Sequence, residues 1–144
     1  SILILCRRLV IPAVMENPAT SRLWITPGVK YVAPLKSTRV FQTDYCQWGV
    51  PWRKRTKFLG IHIDLSPIER HCSGVPGADS GYPKQRVCSR SLKPHVVLCD
   101  VDANGVFRTL IAEPYPPKLC TALARCFASA MAARDINGWS LTMR

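Results

Sequence analysis

The sequence predicts an α/β fold with an irregular, loop-rich insertion and a β-hairpin. Three observations carry this. Short apolar runs bounded by turn residues recur, as at Ile11 to Met15, which Glu16-Asn17-Pro18 ends. Val96 to Leu98 and Val106 to Ala112 flank Asn104-Gly105, a dipeptide that favours a tight hairpin turn. Near the C-terminus, Leu119, Leu123, Phe127 and Met131 repeat at spacing four, with Cys120 and Ala124 beside them.

Taken in order, residues 2–10 read as a helix and Ile11 to Met15 as a buried strand with Glu16 at its end. "ATSRLWITPGVKYV" starts a helix capped by Thr20 or Ser21, which Pro27-Gly28 breaks. "TRVFQTDY" and "TKFLGIHI" read as two further strands, joined by "CQWGVPWRKR". "SPIERHC" opens as a short helix with Ser66 as cap and Pro67 at the first position. It begins an insertion over residues 66–94, whose part from 73 is rich in Gly, Ser, Pro and basic residues. The last helix is "PPKLCTALARCFASAMAARD", ended by Asn137-Gly138. One domain over 1–134 and a tail over 135–144 follow from this order.

A length of 144 residues suits one domain, or a piece of a larger one, and can bury a core. The hydrophobic fraction of 47% excludes a disordered polyelectrolyte. The 12 Pro and 8 Gly imply short elements with frequent turns. A net charge of +11 favours an anionic partner, and nucleic acid is the commonest. The apolar start "SILILCRRLVIPAVM" is interrupted by Arg7 and Arg8 and has no small-residue cleavage site, and no run approaches a membrane span. Seven Cys, an odd count, then read as reduced thiols in an intracellular protein, nuclear if the source is eukaryotic. Because Ser1 opens what reads as the last turns of a helix, the expectation is a chain that begins inside a larger fold.

Four sets of residues carry candidate chemistry. Glu16-Asn17-Pro18 offers a carboxylate at a strand end, suited to a ring nitrogen of a substrate base, or simply a capping acid. In "GVPWRKRTKFLG", Arg53, Lys54, Arg55 and Lys57 offer donors to phosphates, while Trp48 and Trp52 offer faces for an unpaired base. The plainer alternative is a solvated basic turn beside two core tryptophans. Cys46 lies near cations that would favour its thiolate, yet a Cys leaving a strand is more often a small buried hydrophobe. His71, Cys72, Cys88, His95 and Cys99 bracket the insertion, and four such donors bind zinc tetrahedrally. The set chosen is Cys72, Cys88 and His95 with His71 as the fourth. The alternative is free thiols, with His95 opening a strand.

"AVMENPATSRLW", then "DYCQWGVPWRKRTKFLGI", then "AEPYPPKLC" resemble the cytosine-5 DNA methyltransferases, especially shorter phage- and mobile-element-like members. The matching positions are Glu16-Asn17, Trp48-Gly49-Val50-Pro51 with Arg53 to Leu59, and Pro116-Pro117-Lys118-Leu119. The resemblance implies a partial Rossmann-like methyltransferase sheet. It also implies that Glu16 contacts the ring nitrogen of a flipped cytosine while the basic strand holds the base and nearby phosphate. Two departures matter. The family's Gly-rich cofactor loop and Pro-Cys nucleophile precede its Glu-Asn motif, and the fifteen residues before Glu16 hold neither. Lys54 and Thr56 stand where the family has arginines. The resemblance therefore implies the C-terminal half of such an enzyme, DNA-binding, using S-adenosylmethionine only together with the missing half. The alternatives are a non-catalytic nucleic-acid-binding module and a zinc-stabilised interaction module from a mobile element.

Overall fold

A computed structural model describes residues 2–76 and 86–136. Residues 77–85 of the insertion, the Asn137-Gly138 stop and the tail after Ile136 lie outside the described residues. The fold is mixed α/β. Its elements are α1 (Ile2–Arg8), β1 (Ala13–Pro18), α2 (Pro27–Val32), β2 (Thr38–Asp44), β3 (Arg55–Ile61), a two-residue pair β4 (Val75–Pro76) and β5 (Arg86–Val87), and α3 (Pro117–Ile136). Short 3₁₀ turns at Arg22–Ile25, Tyr45–Trp48, Ser66–Ile68 and Arg108–Ala112 connect them.

The main sheet has the order β1-β3-β2. Both outer strands are antiparallel to β3, so β1 and β2 run parallel to each other. Their connection passes through α2, and β3 lies between them. Alternation along β3 feeds two cores. Phe58 faces a core with Phe41, Tyr45, Trp48, Leu65, Ile68 and Leu119 of α3. Leu59 and Ile61 face another with Val32, against which Leu3 and Ile4 of α1 pack. Helices therefore cover both faces, and the central strand is apolar and buried from Phe58 to Ile61 after a polar start at Arg55–Lys57.

Several local details differ from the sequence reading. Pro27 does not end a helix but begins one: the Ser21 side chain caps a 3₁₀ turn by accepting from Leu23 N, and Pro27 then opens α2. Glu16 is not terminal in its strand, since β1 continues to Pro18 and Glu16 pairs with Phe58. The spacing-four row on α3 is a buried face only in part: Leu123 and Phe127 pack against the core that holds Leu119, but the last member does not. Four residues turn a helix by about 400°, so each step drifts about 40°. Leu119 is fully buried, whereas Met131 is 44% exposed. Cys126 joins Leu119 in the core, and Ala122 and Ala130 pack against the same cluster.

The expected β-hairpin shrinks to one bridge, Val101 to Phe107. Asp102 explains the tight end: its carboxylate accepts from Asn104 N and Val106 N, closing the turn side chain to backbone. Beyond it the chain tightens into the 3₁₀ turn Arg108–Ala112 rather than a returning strand. Val97 and Phe107 stay more than half exposed, so no sheet face rewards an extended pairing there.

Gly60 marks the tightest packing in β3. A Cβ there would sit 3.2 Å from Ile63 Cγ2, Ile63 O and Phe41 Cε2. Gly60→Ala is expected to destabilise the protein by about 1–3 kcal/mol, because the neighbours include backbone that must shift. Chemical denaturation measures this, and a variant as stable as the parent would show that the sheet end yields.

Candidate functional site

Three separate segments bring sulfur and imidazole donors together. Cys46 lies in the 3₁₀ turn after β2, which ends at Gly49 in the left-handed region (φ 102°). Cys72 is tied down by its backbone N–H, which donates to Asp44 Oδ2 at 2.8 Å. Cys88 and His95 flank a small loop closed by hydrogen bonds from Leu92 N to Cys88 O and from Cys88 N to Lys93 O. The ligand atoms of Cys46, Cys72, Cys88 and His95 all lie within 4.8 Å of one another, and the group can hold a metal ion. The three cysteines are buried and His95 is half-buried.

Polar hydrogens point at every sulfur. Gln47 Nε2 donates to Cys46 Sγ at 3.7 Å and to Cys88 Sγ at 3.8 Å. Ser89 Oγ donates to Cys72 Sγ at 3.6 Å. Burial pushes the Cys46 thiol up to about 12 despite the Gln47 bond, which argues against a free nucleophile at that position. Burial also opposes ionisation of Cys72, but hydrogen bonds from Ser89 and Gly74 outweigh it and lower the thiol. Cys72, Cys88 and His95 thus meet as the sequence reading chose them. The fourth member is Cys46 in place of His71, which is exposed and outside the group, and Cys99 is exposed as well. Cys46 was missed because it lies 26 residues before Cys72 and no short Cys-Cys spacing marks it.

The basic segment is largely turned toward the protein itself. Arg53 donates to Asp44 Oδ2 at 3.3 Å and to Cys72 O at 2.8 Å. Arg55 donates to Asp44 Oδ1 at 3.3 Å. Desolvation would raise the Asp44 carboxyl, but the Cys72 N–H and the two guanidinium groups prevail and hold it below the usual carboxylate range. Lys54 donates to Ala112 O at 3.0 Å and sits 5.1 Å from the Tyr45 ring centroid. Lys57 lies 5.9 Å from the Trp24 ring. Trp48 is buried, donates to Thr43 Oγ1, and carries the Arg70 guanidinium 3.9 Å over its ring. Trp52 is half-buried and bridges to Val96.

A second cluster forms around Glu16. Tyr115, 99 residues away, donates its hydroxyl to Glu16 Oε2 at 2.7 Å. The Tyr115 ring lies 6.0 Å from that of Tyr45, under Lys54. Asn17 does not join this cluster: it pairs with Lys57, one residue along from the Glu16–Phe58 pair, and so faces the opposite side of the sheet. Burial raises both phenols; the Glu16 charge adds to it at Tyr45, which reaches about 12, and the Glu16 hydrogen bond and then its charge add to it at Tyr115. Because the folded values lie above the unfolded one, their contribution to stability is intact below about pH 10 and is lost as pH climbs through the folded values. Titration of the phenolate absorbance is expected to show both rings protonated at about pH 11 in the folded protein; ionisation by then would remove the cluster as drawn.

Among the described residues no helix is long and apolar enough to cross a membrane. No protein-family model matches the chain, and neither the curated proteins nor the solved structures hold a match.

Proposed function

We propose that the chain is the base-recognition half of a cytosine-5 DNA methyltransferase-like protein, with DNA as its partner. The contact between Glu16 and Tyr115 carries this reading. It joins the first and last segments of the resemblance, and Tyr45 and Lys54 bring the middle one to the same place. Glu16 uses one oxygen for Tyr115, and a carboxylate has acceptor capacity left for an amino group and a protonated ring nitrogen. The sheet itself is antiparallel at both pairings, with β3 between β1 and β2, so the reading draws on the helix-connected order of β1 and β2 and not on a parallel ladder. The +11 charge supplies attraction to phosphates. S-adenosylmethionine belongs to this reading only with a Gly-rich loop and a Pro-Cys motif, which these residues do not contain. Zinc is a separate expectation, from the donor set Cys46, Cys72, Cys88 and His95 and not from the resemblance.

Duplexes carrying cytosine or thymine opposite an abasic site test the reading, with binding followed by fluorescence anisotropy. Cytosine is expected to bind roughly tenfold more tightly, the scale of one well-made base contact. Glu16→Ala should erase that preference while leaving the salt-dependent affinity in place. Equal binding of the two duplexes by the intact protein would reject base recognition.

A further inference from the structure

We propose that Cys46, Cys72, Cys88 and His95 form a closed structural zinc site, and that this ion, rather than a hydrophobic core, fixes residues 86–112 to the sheet. The proposal rests on the zinc assignment and not on base recognition.

The donor set comes first. Three thiolates and one imidazole suit zinc better than the hard, oxygen-seeking cations. Distances agree as well. Zinc bonds of about 2.3 Å to sulfur and 2.0–2.1 Å to nitrogen put tetrahedral S and N neighbours about 3.5 Å apart. Cys72 Sγ and His95 Nε2 stand 3.6 Å apart. The hydrogen bonds then complete the case. Ser89 Oγ donates to Cys72 Sγ, and the two hydrogens of Gln47 Nε2 are shared among three acceptors within reach, Cys46 Sγ, Cys88 Sγ and Ser89 Oγ. Such outer partners orient ligands and favour thiolate over thiol. Burial of the three sulfurs leaves four protein ligands and little access for water, the arrangement of a structural rather than catalytic ion.

The role follows from what the neighbouring segment lacks. Among residues 87–112 only Val87, Cys88 and Ala112 are buried, while Leu92, Val97 and Phe107 are 61–68% exposed. Apolar burial therefore contributes little to holding this stretch. Its polar ties to the β2–β3 region include Val96 N to Pro51 O and Lys54 Nζ to Ala112 O. An ion ligated by Cys88 and His95 on one side, and by Cys46 and Cys72 on the other, clasps the stretch directly to the turn after β2.

The experiment has three readings on the full chain, none involving DNA. Elemental analysis of protein purified without added metal is expected to give one zinc per chain, and cobalt substitution should give the charge-transfer absorption of a three-thiolate site. Removal of zinc by a chelator should raise amide exchange over 86–112 while the β1-β3-β2 sheet stays protected. Gln47→Ala, which keeps all four ligands, should weaken zinc binding about 10–100-fold. Cys88→Ser should abolish it, and if that variant does not fold, Gln47→Ala still decides. Substoichiometric zinc, unchanged exchange after chelation, or collapse of the whole sheet on chelation would each overturn the proposal. Failure of the cytosine preference would leave these readings untouched.

Discussion

Replacing Asp44 with alanine is expected to lower stability by about 3 kcal/mol, among the largest effects of any single side chain here. The carboxylate is fully buried, yet it serves three donors: Arg53, Arg55 and the backbone N–H of Cys72. The two ion pairs alone would not justify the figure. Arg53 and Arg55 side chains are 33% and 50% exposed, and both regain water when the partner goes. Most of the loss comes from the Cys72 N–H, left in a buried place without an acceptor. The remainder comes from the joint itself, because Asp44 ends β2, pairs with Arg55 of β3 and holds the irregular segment that carries Cys72. Asp44→Asn retains an acceptor for Cys72 N and should recover about half of the loss. Urea unfolding of both variants provides the measurement. If alanine leaves the midpoint unchanged, the three donors are satisfied by water, and Asp44 is a surface acid in all but accessibility.

Asp44 also shows where sequence reading stops. Local periodicity finds elements, and it found all three strands of the main sheet and α3. What it cannot see is which partners the cations on those elements take within the protein. Arg53, Lys54 and Arg55 read as a grip for phosphate because four positive charges stand in five positions. The register that pairs Asp44 with Arg55 is set by the whole sheet, and it turns two of them onto one buried acid. The metal group was legible in three of its four members. Cys72, Cys88 and His95 were legible as donor types around a loop, but Cys46 arrives through the turn after β2, and only tertiary structure reveals that approach. The hairpin failed for the opposite reason. Asn104-Gly105 and the flanking valines satisfy every local rule, yet no neighbouring sheet covers them, and β preference is mostly a statement about packing.

Leu119→Ala is expected to cost about 3–4 kcal/mol, within the range for a buried leucine whose site cannot collapse. Leu119 is fully buried in the core with Phe58, Leu65 and three side chains of the 3₁₀ turns Tyr45–Trp48 and Ser66–Ile68, namely Tyr45, Trp48 and Ile68, all of them fully or nearly fully buried themselves. Met131, on the same spacing-four row, is 44% exposed, so Met131→Ala should change stability by no more than about 0.5 kcal/mol. The contrast between the two tests the drift of that row around the helix. A second consequence reaches the base site. Leu119 N donates to Pro116 O at 2.8 Å, and Pro116 follows Tyr115 directly. Loosening the first turn of α3 therefore loosens the hydroxyl that holds Glu16. In Leu119→Ala the Tyr115 phenol should ionise at lower pH than in the parent, and the cytosine preference should shrink with it. A variant that loses stability but keeps the Tyr115 titration would separate the two effects, and would show that the Tyr115–Glu16 contact is held by the chain before α3 rather than by the docked helix.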